Sequence, residues 1–260
     1  MGMQSCKELR EAKSIQWSRS CTSMCGVPEI TAADLGLLGT LGSVLPALER
    51  LTLEEPAAGP ECAQQLAAGL GAGALPAVTW LRIGDMHVGD AGASALAAAL
   101  GQGALPRLKD LNLANTAIGD AGLVALAPAL RRRPALEYLN LTENPLGGEG
   151  LAALVAPPPP AGAPPTTTGG LTKLKELNLN SIEITDAGCA ALAAALDSGA
   201  LPALERLYMY GIPASAAAKA AEFLSTRLPS DLPKSTSRRT PDAMGAKISG
   251  AHCPAKRMAS

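Results

Sequence analysis

Hydrophobic and polar positions along residues 105–130, LPRLKDLNLANTAIGDAGLVALAPAL, change period halfway. Leucines at 108, 111 and 113 have the spacing of a strand with one buried face, and those at 126 and 130 have the four-residue step of a helix stripe. The strand-like half recurs as LPALERLTL from Leu45, LPAVTWLRI from Leu75, PALEYLNL from Pro134, LTKLKELNL from Leu171 and LPALERLYM from Leu201. The middle leucines of the six copies (51, 81, 111, 139, 177 and 207) are separated by 30, 30, 28, 38 and 30 residues. A helical half follows as VGDAGASALAAAL from Val88, IGDAGLVALAPAL from Ile118, LGGEGLAALV from Leu146 and ITDAGCAALAAAL from Ile184. Each copy is therefore predicted to be a strand, a turn and a helix. None can bury its apolar side alone, so the copies stack, with leucine triplets packed against leucine stripes.

The predicted fold class is α/β: a solenoid in the form of a horseshoe arc, with parallel strands on the concave face and helices on the convex face. Asp90, Asp120 and Asp186 fall at helix starts, where a carboxylate is expected to accept from free amides of its own helix. Gly92, Gly122, Gly150 and Gly188, one turn in, are expected to let the helix approach the strand layer. Gly71, Gly101 and Gly199 read as helix stops, and Leu-Pro at the head of most copies predicts an extended approach to the strand. The 38-residue step contains APPPPAGAPPTTTGG, residues 156–170, a predicted extruded loop with polyproline character, read as a tolerated insertion in preference to a dock for an SH3-like or WW-like domain. ITAADLGLLGTL at 30–41 matches the helical half of a further copy whose strand half is degraded. The expected organisation is an N-terminal extension, 1–29, partly disordered; a repeat domain, 30–228, with a degenerate cap at 30–44; and a disordered basic tail, 229–260.

Composition narrows the function classes. The chain has 260 residues and 47% apolar content, enough for a large core, yet only 2 Trp, 3 Tyr and 1 Phe. Its net charge of −1 carries no polyanion-binding signature, although the tail alone is +4, from six Lys and Arg against Asp231 and Asp242. Six cysteines and two histidines show no metal-ligand spacing, C-x3-C at Cys21 and Cys25 being the one close pair. MGMQSC resembles a myristoylation start but has Cys6 where the pattern asks for Ser or Thr. No signal peptide or membrane span is expected. No phosphate-binding or catalytic motif appears, and His87 reads as a solvated turn residue. The expectation is a cytoplasmic, monomeric, non-enzymatic protein with no cofactor, metal, nucleic-acid, membrane or small-molecule partner.

What remains is a surface. Strand alternation points Trp80, Arg82, Asn112, Tyr138, Asn140, Asn178, Arg206, Tyr208 and Tyr210 outward onto the concave sheet face. Four of the chain's six aromatic residues are among them, and Trp, Tyr and Arg dominate binding energy at protein interfaces. These nine are the candidate partner-binding residues.

The pattern LxxLxLxxxxI/VGDAGxxxLxxxL resembles the leucine-rich repeat of the ribonuclease-inhibitor type over about residues 45–228. It departs from that type where Asn or Cys follows the strand: the equivalent residues are Pro56, Met86, Thr116, Asn144, Ile182 and Ile212, of which only Asn144 fits. The resemblance implies an interaction scaffold that binds a protein partner through its concave face. Two alternatives are implied by similar repeats elsewhere: a GTPase regulator of the Ran-activator type, and a detached sensor region like that of NOD-like receptors. The basic tail departs from the acidic tail of the first, and no nucleotide-binding domain accompanies the second.

Overall fold

A computed structural model describes residues 11–18, 31–40, 45–55, 58–156 and 170–212. The elements in chain order are β1 (Ser14–Ser18), α1 (Ala32–Thr40), β2 (Arg50–Glu54), α2 (Pro60–Gly69), β3 (Trp80–Gly84), α3 (Gly89–Gly101), β4 (Asp110–Asn112), α4 (Asp120–Arg131), β5 (Tyr138–Asn140), α5 (Glu149–Val155), β6 (Glu176–Asn178), α6 (Asp186–Asp197) and β7 (Arg206–Tyr208). The seven strands form one parallel sheet in chain order, β1 to β7. Each helix from α1 to α6 packs on the next, so the sheet is one layer and the helices the other. Pro56, the proline-rich segment 157–169, the last helical half 213–228 and the tail 229–260 lie outside the described residues.

The strand register places like residues side by side. Leu51, Leu81, Leu111, Leu139 and Leu177 stack as one buried row, each at most 2% exposed. Leu53, Ile83, Leu113, Leu141 and Leu179 form a second row, each at most 1% exposed. Helix leucines such as Leu66, Leu96, Leu126 and Leu154 close the core from the other layer. Each such side chain contributes about 1.5–3 kcal/mol on burial. Met86 and Ile182, at the position where the repeat calls for Asn, are both 2% exposed and enlarge this core. Asn144 instead bridges two coils: its Oδ1 accepts from the amides of Thr116 and Ile118 at 3.2 and 3.0 Å, and its Nδ2 donates to the Leu113 carbonyl at 2.7 Å.

Several expectations need correction. The sheet starts earlier than the leucine pattern places it, because β1 lies within the segment assigned to the N-terminal extension. SIQWS has no leucine triplet, but Ile15 and Trp17 stand in register with Leu51 and Leu53. Asp90 and Asp120 do not serve their own helices. Oδ1 of Asp90 accepts from Gly119 and Gly122 at 2.8 and 3.0 Å, at the start of α4. Oδ1 of Asp120 accepts from Gly147 and Gly150 at 3.0 and 2.8 Å, at the start of α5. Each carboxylate therefore ties its coil to the next, satisfying amides that an α-helix leaves open.

The glycines one turn into the helices face the preceding helix, not the strand layer. A Cβ on Gly122 would lie 3.0 Å from the Asp90 Cα, one on Gly150 3.2 Å from the Asp120 Cα, and one on Gly92 2.9 Å from the Ala63 Cβ. Where the aspartate is missing, at Gly148, the next coil makes its own cap. The Thr185 hydroxyl accepts from the Gly188 amide at 3.3 Å. A Cβ on Gly188 would stand 2.7 Å from the Gly148 Cα.

Before proline, Leu75 and Leu105 are left-handed (φ 52° and 53°) rather than extended. Both side chains are at most 1% exposed, and their burial outweighs a backbone cost of about 1–2 kcal/mol. The coil that is two residues short is closed by Arg133, 9% exposed. Its guanidinium donates to the carbonyls of Leu105, at 3.1 Å, and Leu100.

Asp120→Ala should cost about 1–2 kcal/mol by orphaning two amides. Gly188→Ala should also destabilise, by about 1–3 kcal/mol, against the helix propensity that favours alanine by about 1 kcal/mol. Urea denaturation of the full chain measures both, and a stabilised Gly188→Ala variant would contradict the close approach.

Candidate functional site

Side chains alternate across a strand, so the positions between the buried leucines line the outer face of the sheet. In register across β2 to β7, one row reads Arg50, Trp80, Asp110, Tyr138, Glu176 and Arg206. The next row reads Thr52, Arg82, Asn112, Asn140, Asn178 and Tyr208, and Tyr210 follows two residues beyond β7. All nine residues singled out by the alternation lie in these rows or their continuation. Trp80, Tyr138, Tyr208 and Tyr210 are each half-buried. A ring in that state presents one surface to a partner while the sheet holds the other.

The asparagines have a different role from the one expected. Asn112 and Asn140 are only 6% and 8% exposed. Their Oδ1 atoms accept from the backbone amides two residues on, Ala114 and Thr142, both at 3.0 Å. Asn178 does the same for Asn180 at 3.2 Å. These side chains fold back over the strand ends and close a turn there, which is a habit of short amides. They form the floor of the face rather than free recognition groups. Alternation shows only the side of the sheet and cannot show this, because the acceptor is occupied by a local amide.

Both arginines of the set are held by carboxylates. Arg82 is bonded to Glu54 and lies 3.6 Å from Asp85, and Arg206 is bonded to Glu176. The Arg50 guanidinium sits 6.0 Å from the Trp80 ring centroid, at the edge of cation–π range. Below the strands, a row of alternating charge runs along their N-terminal ends. Lys13 is 3.4 Å from Glu49, and Glu137 lies 3.6 Å from Lys109 and 2.7 Å from Lys175. The bond from Lys175 holds the Glu137 carboxyl below its ordinary range.

Asp110 stands apart from this self-neutralised pattern. Among the described residues its carboxylate makes no hydrogen bond or ion pair. Burial, then the negative charge of Glu137, pushes its carboxyl above the ordinary value, against the weaker opposing pull of Lys109 and Arg50. Burial and then Glu176 likewise push the Tyr138 hydroxyl up, opposed by the side chains of Asn140 and Asn178. Asp110 is not among the residues picked out for Trp, Tyr or Arg character. Its place between Trp80 and Tyr138 is legible in the repeat alignment, but its lack of a partner is not.

Among the described residues, no group of three or more His, Cys, Asp or Glu side chains is placed to hold a metal ion. No described helix is long and apolar enough to cross a membrane.

A family model described as a leucine-rich repeat matches residues 105–127, 134–155 and 170–193, which cover the coils of β4, β5 and β6. Comparison with curated protein sequences finds no match. Among solved structures the chain is similar to leiomodin-1 actin-binding site 2, at 15% identity and a TM-score of 0.44, over 76% of this chain and 90% of that one. It is also similar to TLR13 in complex with ssRNA13, at 17% identity and a TM-score of 0.40, over 80% of this chain and 30% of that one.

Asn112→Ala should cost about 1 kcal/mol or more, because the Ala114 amide loses its acceptor. Leu111→Ala, beside it in the core, should cost about 2–5 kcal/mol. Denaturant melts that show no loss for Asn112→Ala would mean that the turn is held without it.

Asp110→Asn should raise stability at neutral pH. A carboxyl whose folded pKa lies above its unfolded value loses stability as pH rises through the window that opens near its ordinary value of 3.8. The advantage of the variant should therefore be present at pH 7 and vanish below about pH 3.5. Parallel melts of the two proteins from pH 3 to pH 7 check the sign.

Proposed function

We propose that this leucine-rich-repeat solenoid is a non-enzymatic scaffold that binds a partner protein through its strand face. The observation that carries the reading is the register of Trp80, Asp110 and Tyr138 on adjacent strands, with Tyr208 at the far side. The core of the same chain is built almost wholly from Leu, Ala, Val and Ile, so the face concentrates the residues that the interior avoids. Trp and Tyr bury large area at low cost in side-chain entropy, which is why they dominate protein interfaces. From β3 to β7 the face spans four strand spacings, roughly 19 Å, enough to seat one protein element. We assign the repeats to the ribonuclease-inhibitor-like type. The support for this is that strands alternate with full helices, α3, α4 and α6 having 13, 12 and 12 residues. Cys62 and Cys189 are buried and in no disulfide, which suits the reducing compartment that a cytoplasmic protein would occupy.

Trp80, Tyr138 and Tyr208 changed together to Ala should abolish capture of the principal partner, identified by affinity capture and mass spectrometry, with a shift in thermal unfolding of only a few degrees. The control changes Ser94, Val124 and Asp197 to Ala; all three are exposed on the helical side. Capture at wild-type strength by the aromatic variant would refute the reading.

A further inference from the structure

The strand face neutralises most of its own charge. Glu176 is bonded to Arg206 and Glu54 to Arg82, and Arg50 lies over the Trp80 ring. These pairs leave Asp110 as a half-buried carboxylate with no bonded partner among the described residues. Its two neighbours in register are Trp80 on β3 and Tyr138 on β5. Parallel strands are about 4.8 Å apart, so a cation placed over Asp110 comes within about 6 Å of both rings, the range of a cation–π contact. The floor beneath is fixed, because Asn112 and Asn140 are spent on backbone amides. A carboxylate that has lost part of its hydration without gaining a bonded counter-ion is poised to take one from outside.

We propose that Asp110, with Trp80 and Tyr138 as walls, seats an arginine side chain of the partner protein. This rests on the reading of the strand face as the binding surface and specifies its anchor. Arginine fits the seat for two reasons. Its planar guanidinium stacks on aromatic faces, and its forked donors meet a carboxylate in two parallel hydrogen bonds. The three side chains come from three adjacent coils, so the seat exists only in the stacked solenoid. Arg50 stands on the strand at the far side of Trp80 in register, so the incoming cation is placed on the Tyr138 side, over Asp110.

The test uses N-acetyl-arginine methylamide as probe and its neutral isostere, N-acetyl-citrulline methylamide, as control, titrated into the full-length isotope-labelled chain. The readout is the Trp80 indole N–H resonance, assigned by its loss in Trp80→Phe. The arginine probe should shift it saturably. The citrulline probe, and the arginine probe on Asp110→Asn, should each bind about tenfold more weakly or worse. Melting of Asp110→Asn establishes that it is folded. Equal response to the two probes, or undiminished arginine binding by Asp110→Asn, overturns the proposal.

The same variant in the capture assay separates this proposal from the reading beneath it. Capture lost in the aromatic triple variant but untouched by Asp110→Asn and Asp110→Lys overturns the arginine seat and leaves the strand face standing. Capture lost in all of them supports both.

Discussion

A parallel strand takes about 4.8 Å of a stack, and a packed helix takes about 8–10 Å. This chain must fit one helix to each strand, and most of its features follow from that mismatch. Alanine fills the helices because larger side chains between them would hold them further apart. Glycine stands where a Cβ would meet the preceding helix: at Gly122 against the Asp90 Cα, at 3.0 Å, and at Gly188 against the Gly148 Cα, at 2.7 Å. The residual mismatch bends the layers, with the strands on the inner side of the arc. Close helix starts also let a carboxylate on one coil reach the open amides of the next, as Asp90 and Asp120 do.

Because each coil depends on its neighbour, an irregular coil has to be mended by the one beside it. Gly148 provides no carboxylate, and Thr185 on the following coil caps its own helix instead. The coil that is two residues short has Arg133, which reaches back to the carbonyls of Leu100 and Leu105. Asn144 bonds forward and back across a gap where Met86 and Ile182 elsewhere fill the space with apolar bulk. Stability in such a stack is close to a sum of coil terms and interface terms. These interface contacts therefore act on both coils they join.

The outer face of the sheet is released from the packing constraint, and its composition changes accordingly. Aromatic rings, arginines and carboxylates stand in register there, while the leucines beneath are nearly invariant from coil to coil. The asparagine column belongs to the scaffold despite its position. With Arg82, Arg206 and Arg50 already engaged, the Asp110 carboxylate stands on this face without a bonded partner among the described residues.

The strand-and-helix alternation, the leucine rows and the side of the sheet on which Trp80, Tyr138 and Tyr208 stand were all legible in the sequence, because each depends on periodicity along one chain segment. The tertiary structure alone decided which groups those segments bring together. Asp120 serves Gly147 and Gly150, 27 and 30 residues ahead. Ile15 and Trp17 complete a sheet without the leucine signal. The Asn112 side chain turns to Ala114 while the carboxylate of Asp110, two residues before it, finds no bonded partner among the described residues. Periodicity encodes the face on which a residue lies; the carboxylate, amide or ring it meets there is set by the stacking of coils about thirty residues apart, a relation that no local pattern carries.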